Sequence, residues 1–410
     1  MYLRHRLSNG IRLIHRQIGG PVAHCGLMIN AGSRDEEERE QGLAHFIEHL
    51  IFKGTSQRKA FHILSHMENV GGEINAYTSK EETCIYGSFM PLHYERWFDV
   101  VADILFHSTF PQKELLKEKE IILDEINAWK DNPSEQILDD FDEIVFNGHP
   151  LGRNILGTPL HLASFDRPMI TDFIEGNYAT EEMVICSVGN LSFDLFIRMA
   201  EKHFGAFPRR SKQKRRQAHS GYRPLVRTVD RKNHQAHCVM GNNAYSMSHA
   251  GRTCLSLLNN ILGGPQMTSR LNMAVREKHG FCYTIESLYQ AYSDSGVINI
   301  YFGTDPAYLE KTHVLITKEL TRLRHNRLGE VQMRRAKNQL CGQMHIANES
   351  MLNEMMLIGK QVLHLDRVEP LAEIAERIEA VSQSDLLEAA NEVFDPSQIS
   401  VLTYMPDQVV

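Results

Sequence analysis

The 410-residue chain has no uninterrupted apolar stretch near the ~18 residues that a membrane-spanning helix needs. It has no Cys-x-x-Cys pair either. Its seven cysteines (Cys25, Cys84, Cys186, Cys238, Cys254, Cys282 and Cys341) are odd in number and widely scattered. That spacing excludes a disulfide framework and reads as free, mostly buried thiols of a reducing compartment. The net charge of −7 is mild, so bulk electrostatics imply no nucleic-acid partner. No signal-peptide-like apolar region precedes the strand-like pattern at 11–15, and the expected address is cytoplasmic, away from membranes. What remains, 42% apolar and 23% charged residues, is the composition of a globular protein.

The length suits two domains, and the chain looks duplicated. Ala23-His24-Cys25-Gly26-Leu27-Met28-Ile29-Asn30-Ala31-Gly32-Ser33 returns as Ala236-His237-Cys238-Val239-Met240-Gly241-Asn242-Asn243-Ala244-Tyr245-Ser246, with six of eleven positions identical at an offset of 213. A second echo joins Val184–Val188 to Ile399–Leu402 at an offset of 215. Two matches at nearly one offset point to a repeated domain. Between the copies, Pro208-Arg209-Arg210-Ser211-Lys212-Gln213-Lys214-Arg215-Arg216 has the composition of a solvated tether and lacks the aromatics of a nucleic-acid surface. The expected division is 1–208, a linker at 209–224, and 225–410.

Within the first copy, strands are expected at 11–16, 22–30, 73–79 and 82–90. Helices are expected at 40–54, 60–70, 93–108, 111–131 and 134–146. Trp97, Val100, Val101, Ile104 and Leu105 form one apolar helical stripe. The mixture predicts an α+β fold of two homologous domains, each an antiparallel sheet with helices packed on one face.

The chemistry concentrates in residues 40–54. Leu43, Phe46, Ile47, Leu50, Ile51 and Phe52 make this helix apolar around most of its circumference, so it should be buried. Polar groups inside such a helix need a partner. His45 and His49, at i and i+4, share a face and can hold one ion. Glu48 shares that face and can reach a metal-bound water. His45-Phe46-Ile47-Glu48-His49 is the inverted zinc-peptidase motif His-x-x-Glu-His; two core histidines satisfied by backbone carbonyls are the plainer alternative. A catalytic zinc needs a third protein ligand. Glu125 can supply it, and Glu118, two helical turns earlier, can hydrogen-bond a ligand from behind. The same spacing also suits an exposed, salt-bridged face. At the offset of 213, the positions of His45, Glu48 and His49 become Leu258, Ile261 and Leu262, so only the first copy carries the donors.

These motifs resemble the pitrilysin/insulinase family of zinc peptidases, in particular its short members of mitochondrial-processing-peptidase type. The resemblance spans essentially the whole chain. It includes Gly32–Glu36, Gly42–Thr55, Gly71–Ser79 with Glu81 and Thr83, and His149–Gly152. The family's third ligand lies 76 residues beyond the second histidine, which falls on Glu125, with a supporting glutamate at Glu118. The resemblance implies a LuxS/pitrilysin-type fold and one Zn²⁺ per chain on His45, His49 and Glu125. It implies Glu48 as general base on zinc-bound water, and Arg276 and Tyr283 of the second domain as catalytic partners. Peptide substrates would add to the strand at Asn75, Ala76 and Tyr77 and be cut, unfolded, inside a closed chamber completed by a second copy. A homodimeric zinc endopeptidase is therefore expected. The alternatives are a non-catalytic core-type subunit of a larger complex and the zinc subunit of a heterodimeric processing peptidase.

Overall fold

The protein is described from a computed structural model covering residues 1–212 and 216–407. In chain order the first half forms β1 (Leu3–Arg6), β2 (Arg12–Gln17), β3 (Ala23–Ile29), α1 (Leu43–Leu50), α2 (Ala60–Glu68), β4 (Glu73–Thr78), β5 (Thr83–Phe89), α3 (Tyr94–Phe106), α4 (Gln112–Lys130), α5 (Pro133–Val145), α6 (Pro159–Ser164), α7 (Arg167–Asn177), β6 (Met183–Gly189) and α8 (Phe193–Phe204). The second half forms β7 (Val226–Arg231), β8 (Ala236–Asn243), α9 (Arg252–Gly263), β9 (Cys282–Ala291), β10 (Gly296–Thr304), α10 (Leu309–His325), α11 (Glu330–Ala347), α12 (Met351–Leu365), α13 (Leu371–Ala380), α14 (Gln383–Val393) and β11 (Ser400–Pro406). All nine elements expected in the first copy are present, most of them shortened at their ends. The helix expected around the motif at 40–54 loses most: α1 starts only at Leu43, because Gly42 sits at φ +94°. A side chain there would be strained, and its Cβ would meet the Leu156 carbonyl oxygen at 2.6 Å.

The α+β class and the two-sheet plan hold. The strand orders are β1-β2-β6-β3-β5-β4 and β7-β11-β8-β10-β9. Apart from β1 the two orders superpose strand for strand, as a duplication requires. Two details differ from expectation. Each sheet is mixed, because β2 runs parallel to β6 and β7 parallel to β11. Each sheet is also covered on both faces.

In the first unit, Leu13, Leu27, Ile85 and Ile185 point into the main core with α1, α3 and α8. The alternate residues Ile14, Met28, Cys84, Val184 and Cys186 point the other way, against Met355, Ile358 and Val362 of α12. In the second unit, Cys238, Met240, Ile300 and Phe302 face the core shared with α9, α10 and α14. Val239, Val297, Leu402 and Tyr404 face Ile137 and Phe141 of α5. The period-2 alternation of a strand supplies one apolar set per face, and here both sets are apolar, so both faces demand a helix.

Those covering helices come from the wrong half of the sequence. One compact unit comprises Met1–Asn127, Arg153–Gln217 and Ile346–Glu369; the other comprises Ala128–Gly152, Ala218–His345 and Pro370–Val410. The expected split at 208/225 therefore misses two segments, those containing α5 and α12. Short-range periodicity identifies both as helices but carries no information on which sheet each covers. The basic stretch is also held more firmly than a tether. Lys212 and Arg216 pair with Asp35 at 2.7 Å each, and Arg34 pairs with Glu81 at 2.6 Å, all nearly buried. Gln213, Lys214 and Arg215 of that stretch lie outside the described residues.

Where α12 meets the β4–β5 turn, Glu82 is 4% exposed and bonds His364 at 2.7 Å and Lys360 at 2.5 Å. Burial alone would raise its carboxyl, but these partners outweigh it and bring it down to about 2. A carboxyl depressed on folding adds stability above its ordinary range near 4.5, and loses it as pH falls toward 2. Glu82→Gln should therefore cost roughly 2 kcal/mol at pH 7, and the gap between variant and parent should narrow as pH falls below 4.5 and close only near pH 2. Urea unfolding at both pH values checks this; a gap independent of pH would assign Glu82 a packing role only.

Candidate metal centre

Helix α1 is fixed at its start by a carboxylate. Both Glu36 oxygens accept backbone N–H groups, from Gly42 at 3.0 Å and Ala44 at 2.8 Å, which satisfies the orphan donors of the first turn. Leu43, Ala44, Phe46, Ile47 and Leu50 are fully buried, which anchors one side of the helix in the core. The remaining side presents His45, Glu48 and His49.

Opposite lies α4, whose buried stripe is Leu115, Glu118, Ile122 and Ile126. Glu118 is the one ionisable member of that stripe, at 1% exposure, and it has two partners. Lys53 reaches one oxygen at 2.9 Å, and the His49 Nδ1–H donates to the other at 3.3 Å. That bond leaves the lone pair of His49 on Nε2. Glu125, two turns further on, is half-exposed, and its oxygens face His45 Nε2 and His49 Nε2 at 3.8 Å each.

These three donor atoms lie within 4.8 Å of one another. A separation of 3.8 Å is too long for a hydrogen bond. It suits two donors sharing an ion, since ligands about 2.1 Å from a tetrahedral zinc stand roughly 3.4 Å apart. Burial, then the neighbouring His49, pushes the His45 imidazole down to about 4, so it is neutral, as a ligand must be. The residues present thus fit a divalent ion of the zinc type: two imidazoles and one carboxylate, with one imidazole braced from behind.

Glu48 is half-buried beside Thr78, the last residue of β4, and does not belong to the donor trio. Burial raises its carboxyl, contact with Thr78 works against this, and the charge of Glu125 adds to the rise. Asn75, Ala76 and Tyr77 lie on β4, which is the edge of its sheet and among the described residues pairs with β5 alone. The Tyr77 ring, however, turns toward α12, with Lys360 over it at 5.3 Å and its hydroxyl 3.3 Å from Glu82. Only its backbone is left for a ligand. Asn75 is exposed and Ala76 partly so.

Arg276 and Tyr283 neighbour each other in the second unit. The Arg276 guanidinium stands 5.3 Å from the centre of the Tyr283 ring, which is 81% exposed. Arg276 is the penultimate residue of a π-helical stretch, Asn272–Glu277, a distortion that often marks functional positions. In α9, Leu258 and Leu262 are fully buried and Ile261 is partly so, as the duplication requires. Sequence reasoning overlooked Glu36 and Lys53; the i+4 spacing of Lys53 from His49 was the available signal for the latter.

A mixed-sheet α+β scaffold bearing an inverted His-x-x-Glu-His helix and a distant glutamate defines a metallopeptidase-type centre. Residues 13–159 match the family model for insulinase (peptidase family M16), and residues 164–340 match the model for the M16 inactive domain. The chain is 33% identical over 397 residues to a Bacillus subtilis protein, the uncharacterized zinc protease YmxG, covering 96% of each. It is 30% identical to the beta subunit of the bovine (Bos taurus) mitochondrial-processing peptidase, covering 95% of this chain and 82% of that one. The crystal structure of a Helicobacter pylori protease superposes with a TM-score of 0.91 at 20% identity, covering 99% of this chain and 100% of that one, a likeness of fold. The chain belongs to the insulinase family of peptidases, M16. The match to the inactive-domain model falls mainly on the second copy, where Leu258, Ile261 and Leu262 stand in place of His45, Glu48 and His49.

If Glu118 orients His49 as described, Glu118→Gln should weaken zinc binding about 10–100-fold while leaving secondary structure intact. Competition against a chromophoric chelator measures this, and unchanged affinity would reduce Glu118 to a partner of Lys53.

Proposed function

We propose that this protein is a zinc-dependent endopeptidase acting on unstructured peptides, with His45, His49 and Glu125 as ligands and Glu48 as general base. The observation that carries the reading is the convergence of three donor atoms at a spacing that neither hydrogen bonding nor core packing explains. Zinc held there supplies a Lewis acid that polarises the scissile carbonyl and makes water a stronger acid at neutral pH. Glu48 accepts the proton of the attacking water on its carboxylate and returns it to the leaving amine. Its position beside Thr78 ties it to the end of β4. A peptide pairing along β4 gains backbone hydrogen bonds with few side-chain demands, which suits extended chains and excludes folded ones. Arg276 and Tyr283 are proposed to contribute to turnover, as the family resemblance implies.

We also propose that the chain works as a homodimer enclosing its substrate, in a reducing compartment in keeping with the free thiols among the described residues. The relationship to a processing-peptidase beta subunit supports a second reading, in which a different protein is the partner.

Glu48→Gln should retain stoichiometric zinc and lose about 10²–10⁴-fold in kcat. Cleavage of a quenched unstructured peptide, with metal analysis alongside, checks it; retained turnover would remove Glu48 from the mechanism. Tyr283→Phe should lower kcat by about 10²-fold with zinc content unchanged. Light scattering should give a mass near twice the 46.9 kDa chain. A monomer that cleaves only after a second protein is added would select the heteromeric reading.

A further inference from the structure

The two sheets share a strand order, yet one place is filled in the first and open in the second. In the first unit β1 lies along β2, pairing Leu3–Arg6 with Arg12–His15. It also reaches α12: the Tyr2 hydroxyl donates to Glu354 at 2.6 Å, and Arg4 meets Asp366 at 3.0 Å. Beneath it Arg12 is only 8% exposed, donating to the Val362 carbonyl at 2.8 Å and to Asp366 at 3.4 Å.

In the second unit β7 is the counterpart of β2. Arg12, Ile14 and Arg16 recur as Arg227, Val229 and Arg231 at a constant offset of 215. The helix partner recurs too: Arg16 pairs with Glu354 of α12, and Arg231 with Asp140 of α5. No strand equivalent to β1 recurs among the described residues. Among the described residues β7 pairs with β11 alone. The Leu225 and Arg231 carbonyls accept from Val401 and Asp407, so the odd-numbered residues turn their backbone toward β11. Val226, Thr228 and Asp230 therefore leave N–H and C=O groups on the open edge. Val226 is 74% exposed.

The surroundings select a chemistry. A groove of about 500 Å³ runs beside β7, lined among others by Arg223, Arg227, Val229, Asp140, Glu143 and Leu402. Asp140 is taken by Arg231 and by the Tyr404 hydroxyl. Arg223 and Arg227 are exposed, and neither has an ion pair among the described residues. Two free cations against one free carboxylate, Glu143, leave a positive surplus.

We propose that the open β7 edge receives an extended, acidic segment of another polypeptide, which adds as a sixth strand to this five-stranded sheet and sets carboxylates against Arg223 and Arg227. Backbone pairing supplies the affinity, and the arginines select the charge. The site belongs wholly to the second unit and does not depend on the metal chemistry. Charge on an edge strand can also serve only to repel other strands, and the two roles differ in what they bind.

The probe is a capped, fluorescent peptide of alternating Glu and Val, with alternating Lys and Val as control. It is added to full-length Glu48→Gln protein, so that it is not consumed. Anisotropy should show saturable binding of the acidic probe and roughly tenfold or greater weakening for the lysine probe. Arg227→Glu should weaken the acidic probe by a similar factor. Thr228→Pro, which removes an edge N–H that no native strand uses, should do the same with the thermal melt unchanged. Absence of saturable binding, equal binding of the lysine probe, or affinity untouched by Arg227→Glu would each overturn the proposal. Should Thr228→Pro not fold, Arg227→Glu decides alone.

Discussion

Two imidazoles on α1 and one carboxylate on α4 can meet only if two helices are held at a fixed separation and rotation. The buried contact between His49 and Glu118 does this at the level of single atoms. It sets the orientation of one imidazole, and Lys53 compensates the charge that Glu118 would otherwise carry alone into the core. Around it, the Glu36 carboxylate fixes where α1 begins and the apolar sides of both helices fix how they pack. Breaking one partner of such a buried set leaves an uncompensated charge, which costs several times more than an exposed pair would. Glu125 is exposed by comparison, and its place follows from that of Glu118 by two turns of helix.

The same logic explains why the β4–β5 hairpin is so strongly anchored. Its turn carries two adjacent glutamates, and each is held by a different part of the chain. Glu81 pairs with Arg34 and Arg216, Glu82 with Lys360 and His364. Thr78, one residue before the turn, lies beside Glu48. An edge strand has no neighbour on its open side, so this one is stabilised at its end and from behind. Lys212, Arg216 and helix α12 serve that purpose, although none of them is near the motif in sequence.

Duplication gives the molecule its economy of plan and also its asymmetry. The scaffold repeats strand for strand, down to the Arg-x-apolar-x-Arg pattern of β2 and β7. Polar donors persist only where an ion can satisfy them; in α9 their positions are Leu258, Ile261 and Leu262, and the helix packs as plain core. Among the described residues the second sheet has no counterpart of β1, which leaves Arg227 in the open where its counterpart Arg12 is covered.

Local sequence determined a good deal by itself. The His45/Glu48/His49 face, the apolar stripe of α3 and the repeat offset all depend on spacings of a few residues or on direct identity, and helical and strand periods convert those into geometry without help; Glu125 followed only from the family resemblance. What only the tertiary structure decided are the associations between distant segments. It assigned α5 and α12 to the sheets they cover and made each sheet mixed by inserting β6 and β11 beside strands far away in sequence. It also buried Lys212 and Arg216 against Asp35, and turned the Tyr77 ring away from the side expected to meet a ligand. Periodicity says which face of an element is apolar. It does not say which partner will cover that face, because burying it against any matching surface releases the same water, and the choice is made only when the whole chain is packed at once.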